Sequence, residues 1–226
     1  MNSETSELAS LKLLSDMQAE LRDALNALGG MHGDGLLEHY LFYTAAHINR
    51  AVEGYVYLRE SGRVEASKHL IRTAIEAFIR LQCIRRQPEL LFRIALTEFN
   101  EDKKWLRSVK GPDVANAILA IDAKWAAFVQ AYRTKYPEHP LTQEELSLRR
   151  AAECAGIEGY YDSHYRLYCR FTHAAFGASI GDLSEFERED NRTMTVCALA
   201  AVEALVTLGA SAPNLASLNK RLSVSV

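Results

Sequence analysis

Between Leu37 and Leu58 apolar and small residues recur at alternating steps of four and three, through Leu41, Thr44, Ile48, Ala51 and Tyr55. A helix turns about 100° per residue, so this spacing keeps one face of a long helix against its neighbours along its whole length. The same pattern returns in Leu11, Leu14, Leu21, Leu25 and Leu28, and in Ala66, Leu70, Ala74, Ala77 and Leu81. It is cleanest in Val114, Ile118, Ile121, Trp125, Phe128 and Tyr132. No stretch sustains the apolar–polar alternation of a strand. The sequence therefore predicts an all-α fold, a multi-helix bundle of about seven to nine mostly antiparallel helices joined by short connections.

Breakers and caps set the expected boundaries. Gly29-Gly30 closes the first helix, Asp34 caps the second and Ser61-Gly62 ends it. A third helix is expected over residues 64–86. Pro88 suits the first turn of a fourth, which carries Leu91, Phe92, Leu96, Phe99 and Leu106. Thr142-Gln143-Glu144-Glu145 reads as a capping box opening a short helix through Cys154. An acidic stretch with Glu185, Glu187, Glu189 and Asp190 is expected to precede a last long helix along Met194, Ala198, Ala201, Leu205 and Leu208. One domain is expected over residues 1–212, with 213–226 as a tail whose Leu215, Leu218 and Leu222 suit a short docking helix.

Composition narrows the function classes. The net charge of -3 argues against a generally basic nucleic-acid-binding protein, although cations outnumber acids between Gly62 and Arg93. No apolar run approaches the roughly 20 residues that span a bilayer, and the polar start lacks the form of a secretory signal, so a cytoplasmic protein without membrane contact is expected. Cys83, Cys154, Cys169 and Cys197 are scattered and read as reduced structural thiols. His47, Glu53, Glu76, His69 and His164 lack the paired spacing of a di-metal site; no metal and no cofactor is expected. Phosphate-loop, zinc-protease, nucleophile-elbow and dinucleotide fingerprints are absent.

Aromatic, cationic and imidazole side chains crowd into Gly159 to Leu183. Asp162, Arg166, Arg170 and His173 follow one helical stripe, and Tyr161, Tyr165, Tyr168, Thr172 and Phe176 its neighbour, with the helix expected to stop near Gly177. Histidine can move a proton while arginine stabilises phosphorane-like charge, which is what metal-independent RNA cleavage needs. His173, Arg166 and Arg170 are therefore the candidate catalytic residues. Tyr161, Tyr165, Tyr168 and Thr172 are candidate binding residues, with Arg72 and Glu76, one turn apart on the third helix, as candidates to anchor them. The plainer alternative pairs Asp162 with Arg166 on a solvated face and makes Arg72, Glu76 and the tyrosines a structural polar network.

The Arg72/Glu76 helix, L-I-R-T-A-I-E-A, together with the distal run from Tyr161 through Tyr165 to Thr172-His173, resembles a family of uncharacterised all-helical bacterial proteins. There an Arg/Glu helix is followed by a tyrosine-rich helix ending in a hydroxyl residue and histidine. The likeness runs from the second helix onward and implies the helical fold. More distantly, Arg166 with six residues before His173 is similar to the Arg-(four to six residues)-His motif of HEPN domains, with Leu167 where HEPN nucleases usually carry a polar residue. That likeness implies RNA or another phosphate ligand as partner, a homodimer, and a toxin or defence setting. Two functions follow: a HEPN-like protein binding or cleaving RNA, or a non-catalytic helical interaction module or oligomeric scaffold.

Overall fold

The computed structural model describes residues 3–29, 35–172 and 187–224. Among them every regular element is helical: α1 (Ser3–Leu28), α2 (Leu36–Glu60), α3 (Val64–Arg86), α4 (Leu91–Ser108), α5 (Val114–Lys135), α6 (Leu148–Ala155), α7 (Glu158–Tyr160), α8 (Arg166–Thr172), α9 (Glu187–Thr207) and α10 (Leu215–Val224). A π turn, Tyr161–Tyr165, joins α7 to α8, and a 3-10 turn, Pro88–Leu90, leads into α4. None of the described helices is long and apolar enough to cross a membrane.

The core lies where α9 packs along α1, α2 and α3. Leu14, Met17 and Leu21 of α1 meet Ile48, Val52 and Tyr55 of α2, Ile71, Ile75 and Ile79 of α3, and Met194, Ala198, Ala201 and Leu205 of α9, all fully buried. The alanines of α9 bring its backbone close to three neighbours at once, which larger side chains would prevent. Gly62, at φ +71°, gives the tight turn that sends α3 back along α2. On the other side of α3 lie α6 and α8, while α4 and α5 form a hairpin. That hairpin carries an aromatic ladder in which Phe99 stacks on Trp125 at 4.7 Å, Trp125 on Phe128 at 5.3 Å and Phe128 on Tyr132 at 6.2 Å.

Several boundaries differ from those expected. Helix α2 begins behind Gly35 without a side-chain cap, and Asp34 lies outside the described residues. The capping box does not form. Leu146 N–H instead donates to Thr97 Oγ1 at 3.0 Å, and Arg93 holds the carbonyls of Glu144 and Glu145, so the segment is laid along α4. Helix α6 starts only at Leu148, with Ser147 Oγ accepting from Arg150 N–H at 3.2 Å. On α5, Tyr132 alone of the expected apolar line is fully buried; Val114, Ile118, Ile121, Trp125 and Phe128 are half-covered. The acidic residues from Glu187 to Asp190 are the first turn of α9 and not a loop before it.

Candidate functional site

On α3 the inward stripe near the start of the helix is not Ala66 and Leu70 but Ser67, Lys68 and Ile71. Lys68 Nζ donates to Asp190 Oδ2 at 2.8 Å, with 1% and 0% of the two side chains exposed. Tyr168 OH donates to the other oxygen of the same carboxylate. Arg59, buried at the end of α2, adds positive field. Burial raises the Asp190 carboxyl above its ordinary range while Lys68 and Tyr168 pull it back, and burial with the Asp190 charge drives the Tyr168 phenol up. Next to it, Tyr55 OH donates to Asn191 Oδ1 at 2.7 Å and Asn191 Nδ2 to Ser10 Oγ at 2.9 Å.

One turn further along α3, Arg72 Nε and Tyr165 OH both donate to Glu76 Oε1 at 2.9 Å. The Arg72 guanidinium carbon lies 5.7 Å from the centre of the Tyr165 ring, and Tyr161 stacks on Tyr165 at 5.0 Å. Burial and the Glu76 charge raise the Tyr165 phenol. The structure thus brings Arg72, Glu76, Tyr161 and Tyr165 together and takes Tyr168 into the core. The wider winding of the π turn changes the register at which α8 follows α7, and Tyr165 and Tyr168, three positions apart, meet different carboxylates.

Arg166 makes no hydrogen bond to that network among the described residues. Its side chain is 69% exposed and its Nη1 stands 3.7 Å from Asp162 Oδ1. It borders a surface recess of about 540 Å³ with Tyr161, Asp162, Tyr165, Leu167 and Cys169. Arg170 and Thr172 lie on α8, and their side chains are outside the described residues; His173 and Gly177 lie outside them altogether. Beside this face, His164 touches Ser163 Oγ through Nδ1 at 2.7 Å and Glu189 Oε1 through Nε2 at 3.0 Å, and its ring stacks on Tyr160 at 4.3 Å.

Sequence reasoning missed a second concavity, a cleft of about 420 Å³ where α2, α3, α4 and α5 meet. On its floor Tyr40 OH donates to Glu98 Oε1 at 3.0 Å, and Arg80 Nη1 donates to the same oxygen at 3.1 Å. Burial raises the Glu98 carboxyl and, with the Glu98 charge, the Tyr40 phenol. His47 is lowered by partial burial and by Arg50 and Arg80. Glu76 forms part of the wall, so the Tyr165 bond lies directly behind the cleft. The recurrence of Tyr40, Thr44 and His47 on the α2 stripe was the available signal, since polar groups on an otherwise apolar line face something other than packed carbon.

A model described as a family of unknown function, DUF5677, matches residues 38–191. The chain belongs to that family. No curated protein and no solved structure matches it. The DUF5677 span opens in the first turn of α2 and ends at Asn191, just after Asp190. It therefore holds all of the cleft lining but Leu36, the Glu76 network and both ends of the Lys68–Asp190 pair, and leaves out α1 and α10.

Proposed function

We propose that the protein is a non-catalytic helical interaction module of the cytoplasm, in which the tyrosine-bearing helix is a structural brace. The observation that carries this reading is that the hydroxyls of Tyr165 and Tyr168 already donate to Glu76 and Asp190, with Arg72 and Lys68 completing the two groups. Those residues hold the helix, and the face left toward solvent is that of Tyr161, Asp162 and Arg166. A largely exposed guanidinium beside stacked aromatic rings suits a phosphate-bearing strand such as RNA, since the cation meets the backbone and a ring meets a base. Binding of fluorescent single-stranded RNA, followed by anisotropy over a range of salt, tests the partner. Arg166→Ala is expected to weaken binding for all sequences alike and to reduce the salt slope by about one ion. Equal binding by wild type, Arg166→Ala and Tyr161→Ala rejects this face.

The exposure of Arg166 also favours a second reading, a HEPN-like, metal-independent ribonuclease toxin or defence protein acting as a homodimer. In it His173 is the acid/base, Arg166 and Arg170 bind the scissile phosphate, and Thr172 lines the approach. Incubation with mixed RNA in a chelating buffer separates the two readings. Cleavage lost in His173→Ala and kept in His139→Ala selects the nuclease, and intact RNA with all three proteins selects the module. Sedimentation of the same samples tests the homodimer.

A further inference from the structure

The cleft between α2 and α3 lies on the opposite side of Glu76 from the tyrosine helix, and its charges are arranged unlike those of a structural ion-pair cluster. Its two carboxylates are already supplied with donors. Glu98 accepts from Tyr40 and Arg80, and Glu76 accepts from Arg72 and Tyr165. Neither calls for a further cation. Arg80 is held between Glu98 at 3.1 Å and Glu101 at 3.6 Å. Arg50 is different: it lines the same cleft and has no ion pair or side-chain hydrogen bond among the described residues.

Beside it stands His47, within electrostatic reach of Arg50, Arg80 and Glu76; partial burial and the two guanidinium groups lower its imidazole below the ordinary value. An imidazole next to a guanidinium without an ion pair offers a hydrogen bond and a full charge on one wall of the cleft. The rest of the lining mixes apolar and aromatic surface with the Thr44 and Thr73 hydroxyls and the His39 imidazole. Leu36, Ala77 and Phe128 form walls, and Tyr43, 49% exposed, stands at the mouth with its ring against Phe42 and His39. At about 420 Å³ the space is in the range of small-molecule sites, roughly 300–1,000 Å³, which combine apolar walls with a few convergent polar groups. One open positive charge, flanked by the His47 imidazole and by hydroxyls and set beside aromatic surface, matches a ligand with one negative group on a planar body.

We propose that this cleft binds a small planar organic anion, a ring carrying one carboxylate or phosphate, with Arg50 as the charge partner, His47 as a second polar contact, and Phe128 and Tyr43 against the ring. The site is independent of the Arg166 face, and either can fail without the other.

The test uses 8-anilinonaphthalene-1-sulfonate, an aromatic monoanion that fluoresces on leaving water. Wild-type protein is expected to bind one equivalent saturably. A ring-bearing competitor, either salicylate for the carboxylate class or adenosine 5′-monophosphate for the phosphate class, is expected to displace it, while inorganic phosphate at the same concentration is not. Arg50 is exposed on α2, so its replacement leaves the fold in place, which circular dichroism and the urea midpoint verify. Arg50→Ala and Phe128→Ala should each raise the dissociation constant at least tenfold, Arg50→Lys less, and Arg166→Ala not at all. The proposal is overturned by absence of a saturable signal, by unchanged affinity in Arg50→Ala, by displacement with inorganic phosphate alone, or by failure of both ring-bearing competitors.

Discussion

Two groups of the same composition, a cation on α3, a carboxylate and a tyrosine from the facing helix, sit one helical turn apart at different depths. In the inner group Lys68 and Asp190 are 1% and 0% exposed and the carboxylate comes from α9; in the outer group Arg72 and Glu76 are 27% and 29% exposed and share one helix. Water can replace either partner of the outer pair but has no access to the inner one. Depth, more than chemistry, should therefore decide what each group contributes.

The largest expected effect is that of Lys68→Ala, which leaves the Asp190 carboxylate buried with one cation fewer. It should cost about 3–5 kcal/mol in chemical denaturation, whereas the joint replacement Lys68→Met with Asp190→Leu should cost much less, because it removes both charges. A single variant as stable as wild type would remove the distinction between the two depths. Tyr168→Phe deprives the same carboxylate of a donor and should cost about 1–3 kcal/mol, against about 0.5–1.5 kcal/mol for Tyr165→Phe at the half-exposed Glu76. If those two values were reversed, the outer group would be the structural one. Arg72→Ala should fall below about 1 kcal/mol and shrink further in high salt.

The smallest effect is a slope. The folded-state pKa of Asp190 is raised, so the folded protein holds this proton more tightly than the unfolded chain does. Its contribution to stability is present below the ordinary carboxyl value near 3.9 and is lost as pH rises through the raised one. Urea midpoints across that window should fall less steeply with rising pH in Asp190→Asn than in wild type.

The same contrast explains what could be read from the chain. The bounds of α3, the buried line of α2 and the Arg72–Glu76 pair follow from spacing on one helix, which sequence displays directly. Lys68 was not legible as a core residue. A lysine beside an apolar stripe ordinarily lies in water, and only a carboxylate 122 positions away turns it inward. Asp190 was hidden in the same way, among acidic neighbours that suggest a solvated loop. The Thr142 capping box failed because Thr142 Oγ1 accepts from Glu144 N–H instead, while Thr97 and Arg93, on another helix, take the neighbouring Leu146 N–H and the Glu144 and Glu145 carbonyls. The π turn left no mark in residue type, yet it shifts the register of α8 behind it. The cleft needed four helices to meet before Tyr40, His47, Arg50 and Glu98 became neighbours.

Helix α1 rests on α9, and the Glu20 carboxylate accepts hydrogen bonds from the backbone N–H and the side-chain amide of Asn214, 194 positions downstream, at the head of α10. At roughly 5–20 residues per second a ribosome takes about 10–40 s to make that interval. For most of it Leu14, Met17 and Leu21 lack the α9 surface that eventually shields them. Early synthesis thus carries an unshielded greasy segment, a natural target for chaperones that hold nascent chains, and closure of the bundle waits on the helices made late.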